Sequence, residues 1–343
     1  MKRSKASIIV IVIGVIIAVL APVWKWAIAP AFMKIPDDIE ITSVYKGTIK
    51  MYADPEKMEF YPEGQQVDVP VAITRRDFSV PEKSDSEAAV IREQLEVVDA
   101  DGNVFFEWDR YYALNRKNAR NLPGHNSDTD RDGWYVMVPM GAEKITYQMW
   151  DDDTELTADA KFVKEETRDG NDFKDVAVYV YKAEGDVDRM VEPPMGLPKQ
   201  LSGKAIKEVL GDPTLTLADD TMLPIEYYKT GSTSIVVEPR TGSMVELPDY
   251  HEEYFVNASL PGQPPEMIPI AVLDYKQTAE SVAEAVDASA KYFGLLDLVT
   301  MWLPLMLLVV GLMLIIVGVL LGVRGRGAGV TEVAETQGEP PEE

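Results

Sequence analysis

Residues 298–323 carry no charged side chain, and nearly all of them are apolar. A run of that kind has no polar face to offer water, so it belongs either inside a large core or in a bilayer. At 1.5 Å per helical residue its length is about 39 Å, enough to cross a ~30 Å hydrocarbon core with some tilt. Trp302 and Pro304 stand at its start, and glycines recur at Gly311, Gly318 and Gly322. Gly311 and Gly318 share a helix face, which would leave a groove for a second helix. The Gly318-to-Gly322 spacing alone reads more simply as ordinary membrane glycine.

A second apolar run fills residues 7–23, SIIVIVIGVIIAVLAPV, preceded by Lys2, Arg3 and Lys5 and followed by Trp24-Lys25-Trp26. Residues 7–29 supply a full span, with the tryptophans at interface depth and Lys25 reaching back to water. A cleaved signal peptide is the rival reading, because Ala27-Ile-Ala29 has the small-x-small form. The run exceeds the ~7–15 residues of a signal core, which favours an uncleaved anchor. Basic residues precede the first span, and Arg324 and Arg326 follow the second. The positive-inside rule then puts residues 1–6 and the tail 324–343 in the cytoplasm and the middle outside. The tail is polar and reads as disordered.

The middle, residues 34–297, is polar enough to be soluble and, at roughly 260 residues, long enough to bury a real core. There is no cysteine in the chain, which excludes disulfides, thiolate metal sites and cysteine nucleophiles. That absence leans prokaryotic, since secreted eukaryotic domains are often disulfide-rich. The net charge is −24, and residues 1–33 hold four basic side chains and no acid, so the acid excess belongs to the middle. A field of that sign repels phosphate backbones and excludes nucleic acid as a partner; otherwise it reads as a solubilising surface.

Alternation of apolar and polar residues predicts strands at 39–45, 47–52, 67–74, 94–98, 104–108, 134–138, 145–150, 157–164, 176–182, 223–229, 234–239, 243–247 and 253–259. Asp99-Ala-Asp101-Gly102-Asn and Arg168-Asp-Gly-Asn-Asp are turn signals between them. Such spacing predicts a mainly β, antiparallel barrel or sandwich over residues 34–275. Glu192-Pro-Pro-Met-Gly-Leu-Pro is linker-like and would divide it into possible halves, 34–191 and 197–275. Helices are few: 204–210, and 277–293, where Ala279, Val282, Ala283, Val286, Ala290 and Phe293 form one apolar face. Residues 276–297 read as an amphipathic stalk running into the second span at 298–323.

With these elements placed, the chain resembles the porin PorA family of envelope proteins, a domain of unknown function. The resemblance rests on Ile35-Pro36, Tyr45-Lys-Gly47-Thr48, and Trp108-Asp-Arg110-Tyr-Tyr-Ala-Leu114-Asn-Arg116. It continues with Pro139-Met-Gly141-Ala-Glu143-Lys144-Ile-Thr-Tyr147-Gln, Val236-Val-Glu238-Pro239-Arg-Thr241-Gly242, and a helix leading into Trp302-Leu-Pro304-Leu. Many members carry cysteines near the centre of the domain; residues 124–133 of this chain have none. The resemblance implies an extracytoplasmic β-rich domain that handles envelope lipid or lipoglycan. Membrane lipid is the expected partner, with other envelope proteins or a second copy as further ones. A pore does not follow from the family's label. A membrane β-barrel needs many lipid-facing strands, and two helices alone cannot enclose a channel.

Chemistry is sparse. The two histidines, His125 and His251, belong to no metal or nucleophile motif, and there is no nucleophile elbow, P-loop or dinucleotide glycine pattern. The expectation is a non-enzyme without a cofactor. Asp128, Asp130 and Asp132, followed by Gly133, match the first half of a calcium loop, but the closing acid falls at Pro139. A plain acidic turn explains the same letters. Asn257-Ala-Ser259 is a glycosylation sequon. Aromatic residues gather in the first half, and Phe105, Phe106, Trp108, Tyr147 and Trp150 are candidates to line a lipid cavity; ordinary strand core is the simpler account. The competing function is a structural or assembly subunit of an envelope complex, which would need no cavity.

Overall fold

The computed structural model describes residues 5–54, 59–61, 65–194, 197–209, 211, 214–257 and 267–327. It consists of two units: Met1–Met33 with Phe293–Glu343, and Lys34–Tyr292. The first four residues, the tail from residue 328, and Met195 and Gly196 of the Pro-rich stretch lie outside the described residues.

Among the described residues there are four α-helices: α1 (Lys5–Val23), α2 (Gly203–Val209), α3 (Ala279–Asp297) and α4 (Leu303–Gly327). In the helical unit α1 and α4 run antiparallel. Their seam is made of small residues seven apart, Ser7, Gly14 and Ala21 on α1 and Pro304, Gly311 and Gly318 on α4, all buried. A Cβ on Gly14 would come 2.8 Å from Gly311 O, and one on Gly311 2.5 Å from Ala18 N. Backbone therefore meets backbone, and Ser7 Oγ donates to Gly318 O at 2.6 Å. The groove expected from Gly311 and Gly318 is real, and α1 fills it. The outward faces expose large apolar side chains such as Ile9, Ile16, Met313 and Leu320. Small residues at the seam and large ones outside suit helices solvated by lipid, where close packing rather than water drives association. Both spans, Lys5–Ala31 and Ala279–Arg324, are long and apolar enough to cross a membrane.

Each span widens into a π-helical turn, Trp24–Ile28 and Leu298–Trp302. In the second, the Leu303 N–H bonds to Leu298 O instead of Val299 O, and Pro304 has no N–H to replace it. Val299 O loses its helical donor. Trp24 Nε1 supplies one at 2.8 Å, which matters where no water can do so.

The second unit is mainly β. Its strands are β1 (Glu40–Met51), β2 (Ala53–Asp54), β3 (Glu59–Phe60), β4 (Val67–Ser79), β5 (Ala88–Asp99), β6 (Val104–Asn115), β7 (Tyr147–Asp151) and β8 (Leu156–Arg168). Then follow β9 (Val176–Arg189), β10 (Gln200–Ser202), β11 (Met222–Pro224), β12 (Glu226–Glu238), β13 (Ser243–Glu246), β14 (Tyr250–Asn257) and β15 (Met267–Gln277). The main sheet has the order β6-β5-β4-β1-β15-β14-β12-β9-β8-β7, with β13 beside β12. Every pairing in it is antiparallel. The sheet curls into a half-barrel. Strands from residues 34–191 and 197–275 interleave in it, β1 with β15 and β9 with β12, so both stretches build one sheet.

Sequence alternation found most of these strands but cut several short. Residues 39–45 and 47–52 are one strand, β1, because Gly47 does not interrupt it; a Cβ there would lie 2.1 Å from Asp274 O of β15. Residues 134–138 form only isolated bridges rather than a strand. β15 was not foreseen. Its run Ile-Ala-Val-Leu from Ile270 is buried on both faces and so does not alternate.

β6 and β7 are consecutive in sequence yet occupy opposite ends of the sheet. The segment between them, residues 116–146, joins both edges: Leu122 N donates to Ala113 O at 2.8 Å, and Trp134 N to Gln148 O at 2.9 Å. Two family-like stretches meet on this segment, where Val138 N donates to Gly242 O and Ala142 N to Pro239 O. Arg116 ties down the chain's entry, donating to Ile35 O, Asp85 O and the Asp37 carboxylate. On α3, Asp287 accepts the backbone N–H groups of Asn171, Asp172 and Phe173 in the β8–β9 turn. Burial opposes its charge, but those three donors hold its carboxyl below the usual range.

Candidate functional site

Inward positions of a curled sheet should be apolar, and four strands depart from that rule. On β4 the face carrying Val71 and Ile73 continues with Arg75 and Asp77. On β5 Glu93 shares a face with Leu95 and Val97. On β12 Lys229 follows Tyr227, and on β14 Glu252 stands between Tyr250 and Tyr254. Asp77, Glu93, Lys229 and Glu252 are all buried. Lys229 and Glu252 line a cleft of about 1140 Å³ inside the half-barrel, together with Arg75, Trp108, Asp152 and Tyr275 among others; Asp77 and Glu93 lie behind it, held by Arg75.

Three networks of ion pairs and hydrogen bonds surround these charges. In the first, Lys229 Nζ sits 2.9 Å from Asp151, 2.9 Å from Asp153 and 2.8 Å from Glu252. The hydroxyls of Tyr250 and Tyr254 donate to the two oxygens of Glu252. Burial pushes the Glu252 carboxyl up, but Lys229 and the tyrosines outweigh it and hold it below its ordinary value. Asp151 goes the other way: burial, reinforced by the neighbouring Asp153 and Glu252, raises it despite Lys229.

Asp152 centres the second network. Arg131 Nε lies 2.6 Å from Oδ1, while the Tyr112 hydroxyl donates to Oδ2 at 2.6 Å and Trp150 Nε1 donates to Oδ1 at 2.9 Å. Burial opposes the charge of Asp152, yet Arg131 and its other partners hold the carboxyl low. The Arg131 guanidinium covers the Tyr112 ring at 4.0 Å, and that ring stacks on Tyr135 at 4.7 Å. In the third network Arg75 spans Glu93 at 2.8 Å and Asp77 at 3.0 Å, and Trp108 Nε1 donates to Glu93 at 2.7 Å. Tyr112 reaches both Asp152 and Glu93 and so joins the second and third networks.

The cleft is therefore walled by aromatic faces and paired charges. This departs from the expectation of an apolar interior. Phe106, Trp108 and Trp150 border the cleft; Phe105 and Tyr147 do not. Phe105 packs edge-on to Phe106 against the main core cluster. Tyr147 is buried in a separate cluster, where its hydroxyl accepts from Glu143 N and its ring meets Tyr181.

The three aspartates of the proposed calcium loop do not converge. Asp128 pairs with Arg131 and accepts from Tyr111 N, Asp130 accepts from Gly124 N, and Asp132 pairs with Arg120 and accepts from Gly133 N. Among the described residues no group of three or more acids or histidines could hold a metal ion. Asn257 ends β14, and the rest of its sequon lies outside the described residues.

The charged floor was missed in the sequence although a signal was there. The predicted strand at 67–74 stops where Arg75 begins, but the two-residue parity from Val71 runs unbroken to Asp77. A charge that shares parity with a buried face is a candidate buried charge.

Fold and site together define a mainly β protein with two long apolar helices and a polar, aromatic-walled cleft inside its half-barrel. The chain belongs to the Porin PorA family, whose profile matches residues 6–320. No curated protein matches the chain significantly. Among solved structures it is similar, at 8% identity, to a Bacteroides fragilis protein described as having a YmcC-like fold. That match covers 71% of this chain and 96% of the other, with a TM-score of 0.19, too low to support an argument.

Proposed function

We propose that this chain is a non-enzymatic, two-pass membrane protein of a prokaryotic cell envelope. Its β unit binds the polar, hydroxyl-rich head of an envelope lipid or lipoglycan in the cleft. The observation that carries this reading is the cleft wall: the rings of Phe106, Trp108 and Trp150 stand beside the ion-paired Arg75, Lys229 and Glu252. Rings offer flat apolar faces, and paired charges offer both donors and acceptors, the combination that sugar-like hydroxyls can satisfy. An acyl chain there would bury those charges against hydrocarbon at a cost of several kcal/mol. The acid excess of the chain disfavours an anionic head.

Every buried charge in the cleft is held in an ion pair, which suits holding a ligand better than attacking one. The basic flanks of the two spans support an orientation with both termini in the cytoplasm and the β unit outside. A docking subunit would not need a cleft of this size, so lipid handling is the stronger reading.

The test is titration of the full chain in nanodiscs with a neutral glycolipid, read by fluorescence of the cleft tryptophans. Saturable quenching is expected, weakened at least tenfold by Trp108→Ala, while an anionic phospholipid of equal chain length gives none. Absence of saturable binding by the neutral glycolipid would sink the proposal.

A further inference from the structure

Asp77 of β4 and Glu93 of β5 are directly opposite each other in the antiparallel register. Both are buried, Glu93 completely. Like charges facing each other across a pair of strands repel, and burial sharpens the repulsion. One cation, Arg75, serves both, with Nε 3.0 Å from Asp77 and Nη2 2.8 Å from Glu93 Oε2. That second contact lies off the line of the N–H, and Glu93 Oε2 receives no hydrogen bond among the described residues. Its other oxygen is served by Trp108 Nε1. A buried carboxylate oxygen that lacks a donor, at a strand position opposite a second buried acid, is a place for a proton.

The other ionisable groups around the pair do not supply it. Tyr45 of β1 and Tyr275 of β15 stack edge to face with each other. Tyr112 of β6 and Tyr135 of the 116–146 segment reach only Glu93 Oε1, each at 3.5 Å. Arg110 and Asp152 pair with each other beyond Tyr112.

We propose that the Asp77–Glu93 pair is a proton-binding site behind the cleft, with one proton carried on Asp77 and presented to Glu93 Oε2. Gain of the proton leaves Arg75, a cleft residue, facing one full carboxylate charge instead of two. Its guanidinium is then freer to donate to an acceptor oxygen in the cleft. Loss of the proton draws it back. The site stands on the strand register and the donorless oxygen; its effect on binding rests on the function proposed above. Burial, opposed by Arg75 and reinforced by Glu93, pushes the Asp77 carboxyl up to about 7, which places the exchange near neutral pH.

The sign of the stability effect follows. A carboxyl raised in the folded state favours folding most below its unfolded value near 3.8 and loses that advantage as pH rises through about 7.

The experiment uses the full chain in detergent without any ligand, so it is independent of what the cleft binds. Infrared difference spectra of wild type against Asp77→Asn at about pH 6 should show a protonated-carboxyl stretch in wild type alone, fading by about pH 8.5. Subtracting the variant removes the contribution of Asp151, which burial also raises. The wild-type thermal midpoint should fall over the same interval by more than that of Asp77→Asn, in which Asp151 and His251, both also raised, still titrate. Glu93→Gln removes the like charge and should move the fading of the band to lower pH. Absence of the band at pH 6 in wild type, or its persistence in Asp77→Asn, overturns the proposal.

Discussion

The helical pair and the half-barrel are turned inside out with respect to each other. The pair hides Gly14, Gly311 and Ser7 and exposes Ile9, Met313 and Leu320. The half-barrel exposes polar residues and hides not only Val97 and Ile49 but also Lys229, Glu252, Asp77 and Glu93. The difference teaches which term each unit relies on. Between helices in lipid nothing is gained by burying a large apolar side chain, so shape decides and small residues win. In a water-solvated sheet the apolar core supplies the stability, and a buried charge is kept beside an opposite one.

The comparison is broken most sharply at Lys229. Replacing it with Met removes the cation that Asp151, Asp153 and Glu252 share. Denaturant unfolding of the β unit should show a loss of about 3–5 kcal/mol. Adding Glu252→Gln should restore part of it; full tolerance of the single change would mean the charges are not buried together.

The shape argument predicts a smaller loss at the helix seam. Gly311→Leu drives a side chain into Ala18 backbone and should cost about 1–3 kcal/mol. The loss should appear as a lowered denaturation midpoint in detergent, and Gly311→Ala should cost less than Gly311→Leu. Smallest is Trp24→Phe, which removes the donor to Val299 O. A cost of about 0.6 kcal/mol is expected, seen as a modest drop in the detergent denaturation midpoint.

How far the sequence could be read differs between the units for the same reason. The spans were plain because lipid demands an unbroken apolar run, and residues 298–323 have nothing else. Even the helix contact was readable, since Gly311 and Gly318 repeat every seven residues. The strands were readable where one face meets water, as in β9 and β14, and failed at β15, where neither does. The cleft was hidden for a subtler reason. A charge ends a strand in a hydropathy reading, so the alternation stops at Arg75, although β4 runs on to Ser79 with Asp77 buried on the same face. Trp108 was found, though for an apolar role; its indole N–H on Glu93 shows a polar one.

The half-barrel ends where it begins: β6 and β7, neighbours in the chain, approach each other through the Tyr112 hydroxyl and the Arg110 and Arg131 guanidinia on Asp152. No ladder of backbone bonds runs across that junction between the two strands. The two edges are held instead by the 116–146 segment, whose backbone bonds to Ala113 on one side and Gln148 on the other, and by the side chains gathered on Asp152. The junction is a clasp fastened by one loop and one carboxylate.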